Sequence, residues 1–166
     1  MTSSSTDFKL LAAQVEALTS ERLHWVTTLA NTSALLAQEL NGINWVGFYL
    51  AGDFVDASLP ADELVLGPFQ GKVACTRIPW GKGVCGTAAQ LNRTMRIDDV
   101  HSFAGHIACD IASASEIVVP LHAKGRVVGV LDIDSPLPAR FDETDQADFE
   151  LIAGIVENAL LVAPAT

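Results

Sequence analysis

Ser115-Glu116-Ile117-Val118-Val119-Pro120-Leu121-His122-Ala123-Lys124-Gly125-Arg126-Val127-Val128-Gly129-Val130-Leu131-Asp132-Ile133-Asp134-Ser135 reads as two apolar runs around a turn. The runs Glu116–Leu121 and Arg126–Asp134 form an antiparallel hairpin. A period of two puts Val128, Val130, Asp132 and Asp134 on one face. The two aspartates then stand about 6.6 Å apart along the strand. A three-residue loop, Ala123-Lys124-Gly125, pairs His122 with Arg126 and therefore Glu116 with Asp132, with Asp134 diagonal. A two-residue Lys124-Gly125 loop shifts the pairing by one and sends Glu116 to the other face. Register thus decides whether three acids converge or simply run out into solvent.

Convergence has chemical consequences. Carboxylates about 5 Å apart resist joint ionisation unless a cation joins them or one stays protonated. An amino group, a metal ion or a shared proton each meets that condition. The last arrangement is that of a general acid working near neutral pH. No histidine accompanies these acids at short spacing, so no metal site is expected, although an oxygen-only site for a hard cation stays open.

Outward from the hairpin, the periodicities predict helices at both ends. Phe8, Leu11, Val15 and Leu18 recur at helical spacing behind the cap Asp7. Trp25, Leu29, Ser33, Leu36 and Leu40 form a second stripe that stops at Asn41-Gly42. Phe149, Ile152, Val156 and Leu160 mark a terminal helix opened by Phe141-Asp142-Glu143-Thr144-Asp145. Between them Ile43–Leu50, Leu64–Phe69, Val73–Ile78 and Met95–Ile97 read as strands, and Val84–Leu91 as a short helix ended by Asn92. Residues 51–62 and 98–115 read as long loops, the second rich in Asp, His, Ser and Ala. The expected fold is one α+β domain with a central, mostly antiparallel sheet flanked by N- and C-terminal helices. It divides into a disordered tail 1–6, helices 7–42, sheet and site segments 43–134, and a helix 142–162.

Composition narrows the function. The 166 residues are 49% apolar and 18% charged, which suits one ordinary core and not a disordered chain. A net charge of −10 argues against nucleic acid or an anionic membrane surface as partner. No apolar run reaches the length of a membrane span, and Met1-Thr2-Ser3-Ser4-Ser5-Thr6 lacks the features of a secretory signal. A cytoplasmic location is expected. Three cysteines with no CxxC pair do not make a disulfide framework or a closed zinc site, leaving reactive or simply packed thiols.

Smaller features carry candidate chemistry. Trp45 and Tyr49 share a strand face with only Gly47 between them, so a slot between two rings is one reading and ordinary core packing the other. Gly81-Lys82-Gly83-Val84-Cys85-Gly86-Thr87 lacks the Lys-Ser/Thr of a phosphate loop, though its amides precede a helix and suit an anion. Cys109 sits in His106-Ile107-Ala108-Cys109-Asp110, where the histidine favours the thiolate and the aspartate opposes it.

The blocks Asn44–Tyr49, Leu66–Lys72, Gly81–Ala88, Gly105–Asp110, Ser115–Pro120 and Gly129–Ser135, taken in this order, closely resemble the free methionine-(R)-sulfoxide reductases. The resemblance spans about residues 30–160 and implies a GAF fold. It further implies reduction of free L-methionine-(R)-sulfoxide to methionine, with thioredoxin as external reductant, no bound cofactor and a homodimeric assembly. By position, Cys109 matches the nucleophile, Cys75 the foremost resolving thiol with Cys85 as second candidate, and Glu116 the acid that protonates the departing oxygen. Asp132 and Asp134 match the pair that holds the substrate ammonium, and Trp45 and Tyr49 the wall around its S-methyl group. Backbone amides near Ile107, Ala108 and Cys109 match the receptor of the carboxylate. The segment Ala51–Glu63 is longer than in many relatives and is expected to be an enlarged surface loop. A non-catalytic GAF module, binding a small molecule or sensing redox state through a disulfide, is the second reading. A metal-dependent hydrolase is the weakest.

Overall fold

The computed structural model describes residues 6–21, 23–105 and 112–160. Two helices, α1 (Phe8–Thr19) and α2 (Trp25–Glu39), precede β1 (Trp45–Ala51). A one-turn helix α3 (Gly52–Val55) leads to β2 (Glu63–Gln70) and β3 (Arg77–Pro79). Then follow α4 (Gly83–Leu91), β4 (Met95–Ile97), a 3-10 turn at Val100–Ser102, β5 (Ser115–Ala123), β6 (Arg126–Ser135) and α5 (Glu143–Leu160). The six strands form one sheet in the order β3-β2-β1-β6-β5-β4, with antiparallel neighbours throughout.

Local chemistry accounts for the element ends. The Asp7 side chain accepts from the Leu10 amide at the start of α1. Asp142 accepts from the amides of Thr144 and Asp145, so the terminal helix opens where the acidic cluster indicates. Asn92 closes α4 in the left-handed conformation, at φ 49°. Of the segment expected to be a tail, Thr6 is described, and its hydroxyl donates to the Glu39 carbonyl at 3.0 Å. Residues 1–5 and 161–162 lie outside the described residues.

The sheet has a core on each face. Val46, Phe48, Leu50, Ile117, Val119, Leu131 and Ile133 pack with Leu11, Leu29, Leu36, Phe149, Ile152 and Val156 from α1, α2 and α5. Trp45, Tyr49, Val118 and Val130 point the other way, against Val84, Cys85, Ala88 and Ala89 of α4. All seven residues of β1 are buried, because helices cover one of its faces and α4 with the loops covers the other. Each fully buried Phe, Leu or Val contributes about 1.5–3 kcal/mol through this burial.

The hairpin departs from the expected register. Lys124 (φ 52°) and Gly125 (φ 78°) are both left-handed, so the turn has two residues and is of type I′, pairing Ala123 with Arg126. That loop alone would send Glu116 to the helical face. Between Leu121 and His122 the register shifts, because β6 carries one extra residue, Val128, between the partners Val127 and Gly129. The bulge restores the parity, and beyond it Glu116 pairs with Asp134 and Val118 with Asp132. The expected Glu116–Asp132 pair is therefore corrected by two positions, and Val128 turns into the helical core.

Two other expectations need revision. The strand read at Val73–Ile78 shortens to Arg77–Pro79, because side chains of β1 engage the preceding backbone at Lys72 and Cys75. The loop at 51–62 contains α3, tied to the hairpin by an Arg126–Asp53 ion pair at 3.0 Å. Gly52 lies so close to the Pro60 carbonyl that a Cβ there would stand 2.3 Å from it, which folds this loop back on itself.

Candidate active site

The face of the sheet opposite the long helices carries a continuous row: Trp45 on β1, Asp134 on β6, Glu116 on β5 and Ile97 on β4. The adjacent row is Gly47, Asp132, Val118 and Met95. Directly opposed residues have Cβ atoms about 4.5–5.5 Å apart, so Glu116 meets Asp134 head-on and Asp132 diagonally. Glu116 and Asp132 are each only 5% exposed, and Asp134 is half-buried.

Helix α4 brings a thiol to these acids. Gly86 allows the close packing involved, since a Cβ there would stand 2.3 Å from the Pro79 carbonyl. Its own amide donates to the Lys82 carbonyl, and the Gly81 amide donates to Gly86, so these two amides of the glycine-rich segment are spent on the turn. Cys85, 5% exposed, donates to Glu116 Oε1 at 3.9 Å. One donor atom from each of Cys85, Glu116 and Asp132 lies within 4.8 Å of the others. Cys85 enters the sequence reading only as a resolving thiol, and its place among the acids was not foreseen. The available signal was its position two residues inside a helix that follows Gly81-Lys82-Gly83.

Burial governs the ionisation of this cluster. Loss of solvent raises the Glu116 carboxyl well above the ordinary range, and the charge of Asp134 adds to the effect. Loss of solvent also raises Asp132, with the Glu116 charge second. These two carboxyls share a hydrogen bond, so a proton is held between them. The Cys85 thiol is raised by burial and then by the charges of Asp132 and Glu116. Asp132 Oδ1 is buried without a hydrogen-bond partner among the described residues.

The aromatic pair takes a different form from the open slot read in the sequence. Trp45 and Tyr49 stack with centroids 6.0 Å apart, and Trp45 also stacks on Phe69 at 5.2 Å. A Cβ on Gly47 would lie 2.8 Å from the Trp45 ring and 2.3 Å from Phe69 Cβ, so these two side chains fill the space over the glycine. Phe69 is a member of this wall that sequence reasoning missed. The polar ends of the pair hold the β2–β3 connection: Trp45 Nε1 donates to the Lys72 carbonyl (3.1 Å) and the Tyr49 hydroxyl to the Cys75 carbonyl (3.0 Å). Burial, followed by the charge of Asp132, pushes the Tyr49 phenol up, so it stays a donor. Cys75 is disulfide-bonded, whereas Cys85 is a free thiol. Cys109, Ile107 and Ala108 lie outside the described residues.

Comparison with known proteins agrees with this architecture. Residues 24–160 match the GAF domain family, so the fold is that of a GAF domain. The free methionine-R-sulfoxide reductase of Escherichia coli is 53% identical over 144 residues, covering 87% of this chain and 82% of that protein. The fRMsr of Staphylococcus aureus, solved in complex with substrate, superposes with a TM-score of 0.86 at 48% identity, over 96% of this chain and 99% of that one. The free methionine-R-sulfoxide reductase of Neisseria meningitidis, also solved with its substrate, gives 0.84 at 47% identity, covering 92% and 87%. The chain belongs to the free methionine-R-sulfoxide reductase family, a family of oxidoreductases. Among the described residues no helix is long and apolar enough to cross a membrane.

Proposed function

We propose that this enzyme reduces free L-methionine-(R)-sulfoxide to L-methionine. Membership of the family supports the reaction, and one observation carries its placement: Glu116, Asp132 and Asp134 converge on one buried face beside an aromatic wall. Paired acids in low dielectric call for a cation, and a substrate ammonium at Asp132 and Asp134 supplies it. Trp45 and Tyr49 border the S-methyl group, and backbone amides around Ile107, Ala108 and Cys109 receive the carboxylate.

The chemistry assigns one role to each group. The Cys109 thiolate attacks the sulfoxide sulfur while Glu116 delivers a proton to its oxygen. The protonated oxygen then passes to the Cys109 sulfur. A new S–O bond forms there as the substrate sulfur gives up both its oxygen and its bond to Cys109, so methionine leaves reduced by two electrons and Cys109 is oxidised to a sulfenic acid. The Cys75 thiol then attacks that sulfur, expels water and forms a disulfide. Cys75 being disulfide-bonded while Cys85 stays free supports Cys75 as the resolving residue. Thioredoxin restores both thiols by dithiol exchange, which suits an enzyme of the reducing cytoplasm, and the assembly proposed from family resemblance is a homodimer. No bound cofactor enters any step.

An NADPH-coupled thioredoxin assay with the separated epimers tests this reading. Methionine should form from the free (R)-sulfoxide and scarcely from the (S)-sulfoxide or from sulfoxides within proteins. Equal rates on both epimers, or none on either, would overturn it.

A further inference from the structure

We propose that Cys85, Glu116 and Asp132 form a binding site for a single zinc ion whose occupancy blocks turnover. The three side chains come from three different rigid elements, α4, β5 and β6, and their donor atoms already lie within 4.8 Å of one another. Zinc bonds of about 2.0–2.3 Å in tetrahedral geometry set ligand–ligand edges of about 3.3–3.8 Å. Closing the site therefore takes about 1 Å of movement of the donor atoms. Asp132 Oδ1, on a residue 5% exposed, has no hydrogen-bond partner among the described residues, which leaves a buried lone pair for a cation.

The donor set selects the metal. One sulfur and two carboxylate oxygens suit a borderline-soft ion that accepts three protein ligands and a water. Magnesium and calcium prefer six or more oxygens and gain little from a thiolate. Binding displaces the thiol proton and the proton held between the carboxyls, so two charges enter as protons leave. No spacing in the sequence announces the site, because its ligands lie 31 and 16 residues apart and none is a histidine. The binding itself is independent of the reductase reading, whereas the block rests on it, since the ion would occupy the acids assigned to substrate.

The test uses full-length protein in its oxidised form, prepared so that thiol titration counts one free thiol per chain. Only Cys85 can then supply a thiolate. Cobalt(II) serves as the spectroscopic probe and zinc as the competitor. One equivalent of cobalt should produce a thiolate-to-metal band in the near ultraviolet, and zinc should abolish it. Cys85→Ser should lack the band, and Glu116→Gln and Asp132→Asn should each weaken binding by more than about tenfold, since even outer-shell partners of a metal are worth that much. Absence of the band overturns the proposal. So does a band whose affinity is unchanged in both carboxyl variants, which would place the metal on the thiol alone. Zinc should also inhibit methionine formation by chelator-treated reduced enzyme at the concentration that fills the site, and full activity with the site filled overturns the inhibitory part. Failure of the reductase reading would appear separately, as no methionine from chelator-treated protein.

Discussion

Glu116 of β5 stands directly opposite Asp134 of β6, and this pairing exists because a single residue, Val128, bulges out of the hairpin. The tight turn at Lys124-Gly125 by itself would put Glu116 on the helical face of the sheet, within the main apolar core. One inserted residue thus separates an acid in the site from an uncompensated acid in the main core. Deleting Val128 should abolish sulfoxide turnover and lower the melting temperature sharply, whereas a deletion in the exposed part of the 56–62 loop should be far milder. A thermal melt and a turnover assay on the two deletions decide the point.

Gly125 has a φ of 78°, and a methyl group added there would meet nothing within 4 Å, so its replacement by Ala isolates the backbone cost of the turn. That cost is about 1–2 kcal/mol, or roughly 2–8 °C in a chain of this length. Unchanged melting would contradict the left-handed turn.

Gly47→Ala should destabilise by about 1–3 kcal/mol, because the new methyl meets Phe69 and the Trp45 ring at once. Tryptophan fluorescence should shift with it, since Trp45 must leave its stack on Phe69. A mutant that melts like the parent with an unaltered emission spectrum would refute this packing.

Tyr49→Phe removes the hydroxyl that donates to the Cys75 carbonyl and should cost about 0.5–1.5 kcal/mol. Disulfide formation should slow more than the first release of methionine, because the lost bond positions the cysteine-bearing connection. Rapid-quench analysis separates the two steps, and equal slowing of both would assign Tyr49 to the wall alone. In Cys75→Ser turnover should stop after about one methionine per chain, leaving Cys109 oxidised. In Cys85→Ser the disulfide should still form, as peptide mass spectrometry would show.

Glu116→Gln should lower kcat by about 10²–10⁴, the range expected for loss of a proton donor. It should also stabilise the metal-free protein at neutral pH. The folded state raises both Glu116 and Asp132, so it binds protons more readily than the unfolded chain. Their burial costs stability above the raised folded-state values, and the cost fades as pH falls through those values toward the unfolded ones. The gain in the Gln variant should therefore shrink on acidification. The exposed Asp56 and Asp99, held low by hydrogen bonds from Ser58 and Ser102, act in the opposite sense but are common to both proteins and cancel in the difference. A gain that is constant with pH would show that Glu116 ionises normally.

The larger features of the fold were legible in periodicity. The stripe Leu29, Ser33, Leu36 and Leu40 faces the core, and the alternation of β1 sends Trp45 and Tyr49 one way and Phe48 the other. The convergence of the three acids was legible only as one of two outcomes. Turn length and bulge each shift the register by one, and nothing in Val127-Val128-Gly129 marks which residue is left unpaired. The truncation of β3 was hidden because the backbone of Lys72 and Cys75 bonds to side chains of a distant strand. Cys85 stayed outside the acid cluster for the same reason: the packing of α4 is a long-range fact, absent from local spacing.

The complete burial of β1 makes that strand a shared partition between two chambers with separate duties. Erosion of the helical side, as by Phe48→Ala, should cheapen unfolding while leaving discrimination between sulfoxide epimers intact, because the two clusters lie on opposite faces of the sheet. Thermal robustness and stereochemical choice can then drift independently in this scaffold, each under its own selection.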